Sequence, residues 1–191
     1  MLRIARCTSI LLLLAGAAQA DTLTQGPYTT GTAAQPIAVS LAVPRFAGGM
    51  QQLRRVAVQV GESSSYSASV SVPPGSPPTA VSISYTSTLS LSADGLPLLA
   101  AAGAFWNGIA TTGFNNNTGF TSGSGLANSA QETRARSRLQ GLAGSGEASV
   151  GLQLAGTAAC SAACNVGALS SLVTTVTYEF APDGLFYDTF D

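Results

Sequence analysis

The stretch Val81–Ser92, VSISYTSTLSLS, alternates so regularly that it limits what this chain can fold into. Val81, Ile83, Tyr85, Leu89 and Leu91 share one parity, Ser and Thr fill the other, and only Ser87 breaks the apolar face. Successive side chains of a strand point to opposite faces, so this segment reads as a strand with one apolar and one hydroxyl face. The period recurs in Tyr66, Ala68, Val70 and Val72, in Val56, Val58 and Val60, and in Val39, Leu41 and Val43. It returns near the end in Val150, Leu152 and Leu154, then in Leu172, Val176, Tyr178 and Phe180. VPPGSPP (Val72 to Pro78) cannot be helical and reads as a stiff connector between strands. Pro44, Gly48-Gly49, Gly61 and Asp94-Gly95 supply further turn chemistry. LLAAAGAFW and SAQETRARSRLQG are the two places for a helical turn; in the second, Arg134, Arg136 and Arg138 at a spacing of two favour an exposed strand.

Short alternating runs between Gly and Pro breaks predict an all-β fold, an antiparallel β-sandwich over residues 21–180. The pattern does not choose between a jelly-roll-like and an Ig-like strand order. A small outer-membrane β-barrel is the all-β rival, because VTTVTYEF alternates and closes on Phe180. Aromatic residues make up only 7%, few for two interfacial girdles, and Phe180 is not the last residue.

Residues 1–20 read as a signal peptide. Arg3 and Arg6 are basic, Thr8 to Ala18 is apolar but too short to span a bilayer, and Ala18-Gln19-Ala20 is a small-x-small site. Cleavage is expected between Ala20 and Asp21. Cys7 precedes the apolar run, so it does not mark a lipoprotein. The 171 residues left fit one domain, which buries about 70% of its unfolded surface without needing a staple. All eight basic residues are Arg; without Arg3 and Arg6, six face nine acids. A mild negative charge with no basic stripe argues against nucleic acid as a partner. The mature chain has no apolar segment long enough for a transmembrane helix.

Cys160 and Cys164 remain after cleavage, and an exported protein is expected to oxidise them. An extended chain would hold them about 13 Å apart. A disulfide needs Cα atoms within about 7 Å, so Ser161-Ala162-Ala163 must turn. The absence of His and Lys excludes Ser-His-Asp, Cys-His and Ser-Lys nucleophiles and Schiff bases. No P-loop is present. Paired-carboxylate chemistry survives, but Asp94, Glu132, Glu147 and Glu179 show no spacing that selects a pair. The expectation is a non-enzyme with no cofactor. Asp183, Asp188 and Asp191 lack the alternation and Gly of a calcium loop, so no metal site is expected either.

Two stretches are candidates for binding. Phe105, Trp106 and Asn107 precede a Gly/Asn/Thr/Ser loop carrying Phe114 and Phe120, and rings beside amides suit a glycan. The competing reading makes Trp106 a core side chain and the loop merely polar. The second stretch is the tail 181–191, in which Asp183, Gly184, Leu185, Phe186, Tyr187 and Phe190 follow Pro182. An apolar cluster on an exposed terminus points to a partner, here a secretion or sorting machine.

DTLTQGPYTTGT, then PIAVSLAVPRFAGGMQQLRRVAVQVG, a Ser/Thr-rich middle and a closing VTTVTYEF resemble the choice-of-anchor E domain proteins of bacteria. The likeness spans about Thr22 to Phe180, and VPRF followed by QLRRVAVQV is its most specific part. The chain departs from the pattern over Phe105 to Ser124 and in its cysteine pair. The resemblance implies an exported surface or extracellular β-domain of unknown activity, and no catalytic residue carries over. Many such proteins end in a PEP-CTERM tail, which is not seen here. Instead DGLFYDTFD resembles short D-G-x-F-x-x-x-F-acid ends of some secreted Gram-negative proteins.

Overall fold

A computed structural model describes residues 20–48, 52–93 and 96–181. The alternating runs are strands: β1 (Asp21–Thr29), β2 (Ala33–Ala34), β3 (Ile37–Pro44), β4 (Leu53–Ser71) and β5 (Ala80–Ala93) come first. They are followed by β6 (Leu96–Thr111), β7 (Thr118–Thr133), β8 (Glu147–Cys160) and β9 (Cys164–Phe180). One helical turn, α1 (Arg136–Leu139), and a 3-10 turn, Gln140–Leu142, lie between β7 and β8. One sheet has the order β1-β9-β4-β7, with β2 also on β9; the other has the order β3-β8-β5-β6. Their strand pairings are antiparallel. The chain is thus an all-β sandwich, and its sheets do not close into the barrel that VTTVTYEF suggested.

The register defines two poles. Asp21 and Leu53 both pair with Phe180, so the start of β1, the start of β4 and the end of β9 share the lower pole with α1. The upper pole holds the connector 72–79, the turn 112–117 and the turn between β8 and β9. Midway, β1 stops opposite Val173, β2 stops opposite Leu169 and β3 begins opposite Leu154. Above that waist each sheet has three strands, β9-β4-β7 and β8-β5-β6.

Each half has its own core. Val56, Val58, Val60, Leu89, Leu152, Leu154, Leu172 and Val176 are buried together in the lower half. Each such side chain contributes roughly 1.5–3 kcal/mol of transfer free energy. The upper cluster is built from Tyr66, Tyr85 and Trp106 with Val70, Val81, Ile83 and small residues such as Ala104 and Ala168. Charge is divided in the same way. No acidic or basic residue occurs in 63–93, 96–131 or 148–178, so described charges other than Glu62 sit at or near the lower pole. There Arg55 forms ion pairs with Glu132 and, at 2.7 Å, with Glu179.

Several local expectations are corrected. Gly61 is no turn but lies inside β4, joining the segments around Val58 and Val70 into one strand of 19 residues. LLAAAGAFW belongs to β6. The arginine-rich segment is not an exposed strand beyond Thr133: Leu139 and Leu142, three apart, are both buried, and α1 with its 3-10 turn is what aims them at the core. Ala181, assigned by sequence to the tail, is buried and donates its N–H to the Gln52 carbonyl. Residues 1–19 of the expected signal peptide and the tail from Pro182, with Asp183, Gly184, Leu185, Phe186 and Phe190, lie outside the described residues.

Candidate functional site: a buried polar belt around Glu62

The inward face of β4 runs Val56, Val58, Val60, Glu62, Ser64, Tyr66, Ala68, Val70. Two polar residues interrupt it at the waist, and polar groups on other strands meet them. The Ala104 N–H donates to Glu62 Oε2 at 2.7 Å, and Ser64 Oγ donates to Glu62 Oε1 at 2.5 Å. Ser87 Oγ lies 3.0 Å from Glu62 Oε1, 3.2 Å from Oε2 and 2.8 Å from the Ala104 carbonyl, and its single proton serves one of them at a time. Ser64 Oγ also shares a hydrogen bond with Ser170 Oγ at 2.6 Å. Gln35 Nε2 donates to Ser170 Oγ, and Tyr85 Oη donates to Gln35 Oε1. The belt therefore links β4, β9, β5, β6 and the β2–β3 connection, and separates the two apolar clusters.

Space for the carboxylate comes from Gly103. A Cβ there would lie 2.5 Å from both Glu62 Oε2 and Ser87 Oγ. Tyr66 stacks on Trp106 with centroids 5.6 Å apart and planes 12° apart, and lies tilted on Tyr85 at 5.0 Å. Burial raises the Tyr66 and Tyr85 hydroxyls above their ordinary pKa, with neighbouring Glu62 adding to both.

This geometry fixes what the belt can do. Glu62 is 4% exposed, and Ser64, Ser87 and Ser170 are buried with it. A buried carboxylate persists only if its oxygens are hydrogen-bonded, and these are. No second carboxylate contacts it among the described residues, so the arrangement is a structural acceptor rather than an acid pair. The sequence reading passed over Glu62. The available signal was polar residues at core parity: Glu62 and Ser64 on β4, Ser87 on β5 and Ser170 on β9.

The predicted ligand residues divide between two faces. Trp106 is 7% exposed and belongs to the core, so its ring offers no platform to a ligand. Its neighbours alternate with it: Phe105 is 56% exposed, and Asn107 points outward beside Ile109 over Ser82 and Ser84. The polar loop is mostly strand, and only 112–117 turns. Period-two reading missed β7 because its inner face is Gly119, Thr121, Gly123, Gly125 and Ala127, while Phe120 and Leu126 point out. The glycine at 123 is required: a Cβ there would lie 2.6 Å from Trp106 Cδ1. The Cys160–Cys164 disulfide is present, with Cα atoms 6.3 Å apart. Ser161 anchors the turn by donating its N–H to the Ser82 carbonyl and accepting the Ser82 N–H.

No family model matches the chain, and no curated protein matches it. Among solved structures, the VP2 subviral particle of infectious bursal disease virus is similar at 11% identity and a TM-score of 0.18, over 86% of this chain and 42% of that one. The T13 particle of the same virus gives 11% identity and a TM-score of 0.20, over 91% and 43%. The chain spans about two fifths of those capsid chains. Likeness at this level carries no argument about function.

Proposed function

We propose that this protein is an exported, non-enzymatic β-sandwich of the choice-of-anchor kind, a structural or interaction module at the cell surface or in the extracellular space. Its C-terminal tail would engage a secretion or sorting machine. The observation that carries this reading is the pairing of Asp21 with Phe180. The expected cleavage point and the base of the tail leave the domain side by side at one pole, so an anchor or carrier there leaves the upper half projecting freely. The disulfide supports an oxidising location. The sealed belt favours a non-catalytic role, because its hydroxyls and carboxylate are committed to one another.

Intact mass of the native protein from envelope and medium fractions tests the reading. A chain starting at Asp21, in the medium or on the envelope, is expected; an uncleaved chain retained inside the cell would overturn it. A species ending before Asp183 or carrying added mass on the envelope would identify the tail as the anchoring element.

A second reading, glycan binding, has support only on the outer face of the β3-β8-β5-β6 sheet. There Phe105 and Asn107 stand two residues apart with Ile109 beyond. A specific glycan-array signal lost in Phe105→Ala but kept in Phe120→Ala would establish it; no signal would remove it.

A further inference from the structure

Above the waist β8 runs six residues past Leu154, the last position that β3 covers. Over Ala155–Ala159 it pairs with β5 on one side, and among the described residues no strand pairs with it on the other. Even the inward-facing Gly156 and Ala158 are exposed. Across the sandwich β9 is bare in the same way above Leu169, apart from one hydrogen bond donated by the Gln35 N–H to the Ala168 carbonyl. Both layers thus lack their outer strand on the same side and at the same height.

Such an edge presents unpaired N–H and C=O groups, and natural proteins blunt it with charge, Pro, a bulge or a cover. Ala155-Gly156-Thr157-Ala158-Ala159 has no charge and no Pro, and its ladder with β5 has no register shift.

We propose that this edge is the contact between two copies of the chain, paired antiparallel through β8 about a two-fold axis at Thr157. Ala155 of one protomer then lies opposite Ala159 of its partner, joining two four-stranded sheets into one. Three features favour a second copy. The notch above Ile37 is self-complementary: an antiparallel copy inserts its own three-stranded half there, and each β3 ends against the partner's β8–β9 turn. The upper half carries no charge to repel its twin. The bare edge of β9 faces the same side, where the same axis brings it towards its counterpart. The inference goes beyond the proposed function and holds wherever the protein acts.

Sedimentation or light scattering of the purified protein, up to about 100 µM, tests it. A dimer is expected. Thr157 is exposed, so Thr157→Lys or Thr157→Glu should leave thermal unfolding of the monomer unchanged while weakening association about tenfold or more by placing like charges across the axis. Mixing the two variants should restore the dimer as a heterodimer, which a folding defect would not do. A wild-type protein that stays monomeric overturns the proposal, as does a dimer indifferent to T157K or a mixture that fails to associate. Association that survives T157K but is lost in Phe186→Asp would place the tail in the contact and also overturn it.

Discussion

Below the belt each sheet has four strands, and the space between them is filled with Val and Leu. Above it each has three, and the filling is Tyr66, Tyr85 and Trp106 packed against Gly and Ala. The lower half carries nearly all the charge and both chain connections; the upper half has hydroxyls, exposed apolar side chains and a disulfide. The difference teaches how a Ser-rich chain can build a core. Where paired aliphatic faces meet, burial alone suffices. Where a strand such as β7 has little but glycine and alanine to offer, large rings from the other strands fill the gap, and a covalent link closes the turn. Local stability follows such differences in buried contacts, so the upper half is expected to open first.

Deleting methyls from the lower core should have the largest effect. Leu152 is completely buried, and Leu152→Ala should destabilise the fold by roughly 2–5 kcal/mol with an unchanged denaturant slope. A changed slope would mean that the halves already unfold separately. Next is the belt. Glu62→Ala leaves the Ala104 N–H without its acceptor, takes one acceptor from Ser64 and from Ser87, and should cost about 3 kcal/mol. Glu62→Gln keeps one acceptor oxygen and should cost clearly less; equal losses in a chemical melt would show that shape, not hydrogen bonding, matters there.

Replacing Cys160 and Cys164 together by Ser should cost about 2 kcal/mol, the loop-entropy value for a five-residue ring. Hydrogen exchange should quicken at Val70, Ile83 and Ala168 and stay unchanged at Leu152 and Val176. A uniform change would erase the distinction between the halves. The smallest effect belongs to alkali. Burial, then the neighbouring Tyr28, pushes the Tyr178 phenol up to about 12, and its hydroxyl donates to the Pro44 carbonyl. The unfolded chain ionises this group near pH 10 and the folded one does not. The stability it contributes is therefore complete below pH 10 and is lost as the pH climbs towards 12, about 1–2 kcal/mol after allowance for solvent screening. Phenolate absorbance at Tyr178 that rises before the far-ultraviolet signal falls would contradict this order.

The sequence made most of the sandwich legible, because β3, β5, β8, β9 and both arms of β4 alternate in the ordinary sense. It concealed β7 for a physical reason. Alternation identifies a strand only when its inner face is apolar and large, and Trp106 leaves β7 room for little but hydrogen atoms at Gly123. The turn of α1 was readable from Leu139 and Leu142, but the arginine spacing outweighed that signal. The belt was half visible: Ser87 showed as a break in an apolar face, and its meaning depended on Glu62 from the other sheet, a pairing no local pattern reports. Phe105, Trp106 and Asn107 are adjacent in sequence yet divide between inside and outside, as strand geometry requires.

The belt also bears on alignment. Strands of repeating Ser, Thr and Val are nearly degenerate, since a slip of two residues keeps every side chain on the face it had. Ser64 pairs directly with Ser170, and Glu62 sits where Ser87 and the Ala104 N–H can reach it. A two-residue slip towards the lower pole would carry the carboxylate into the Val and Leu cluster, where no donor waits. Glu62 thus acts as a key cut for one frame, and its removal should give a chain that still collapses into sheets but samples neighbouring registers, seen as doubled amide resonances along β4 and β9.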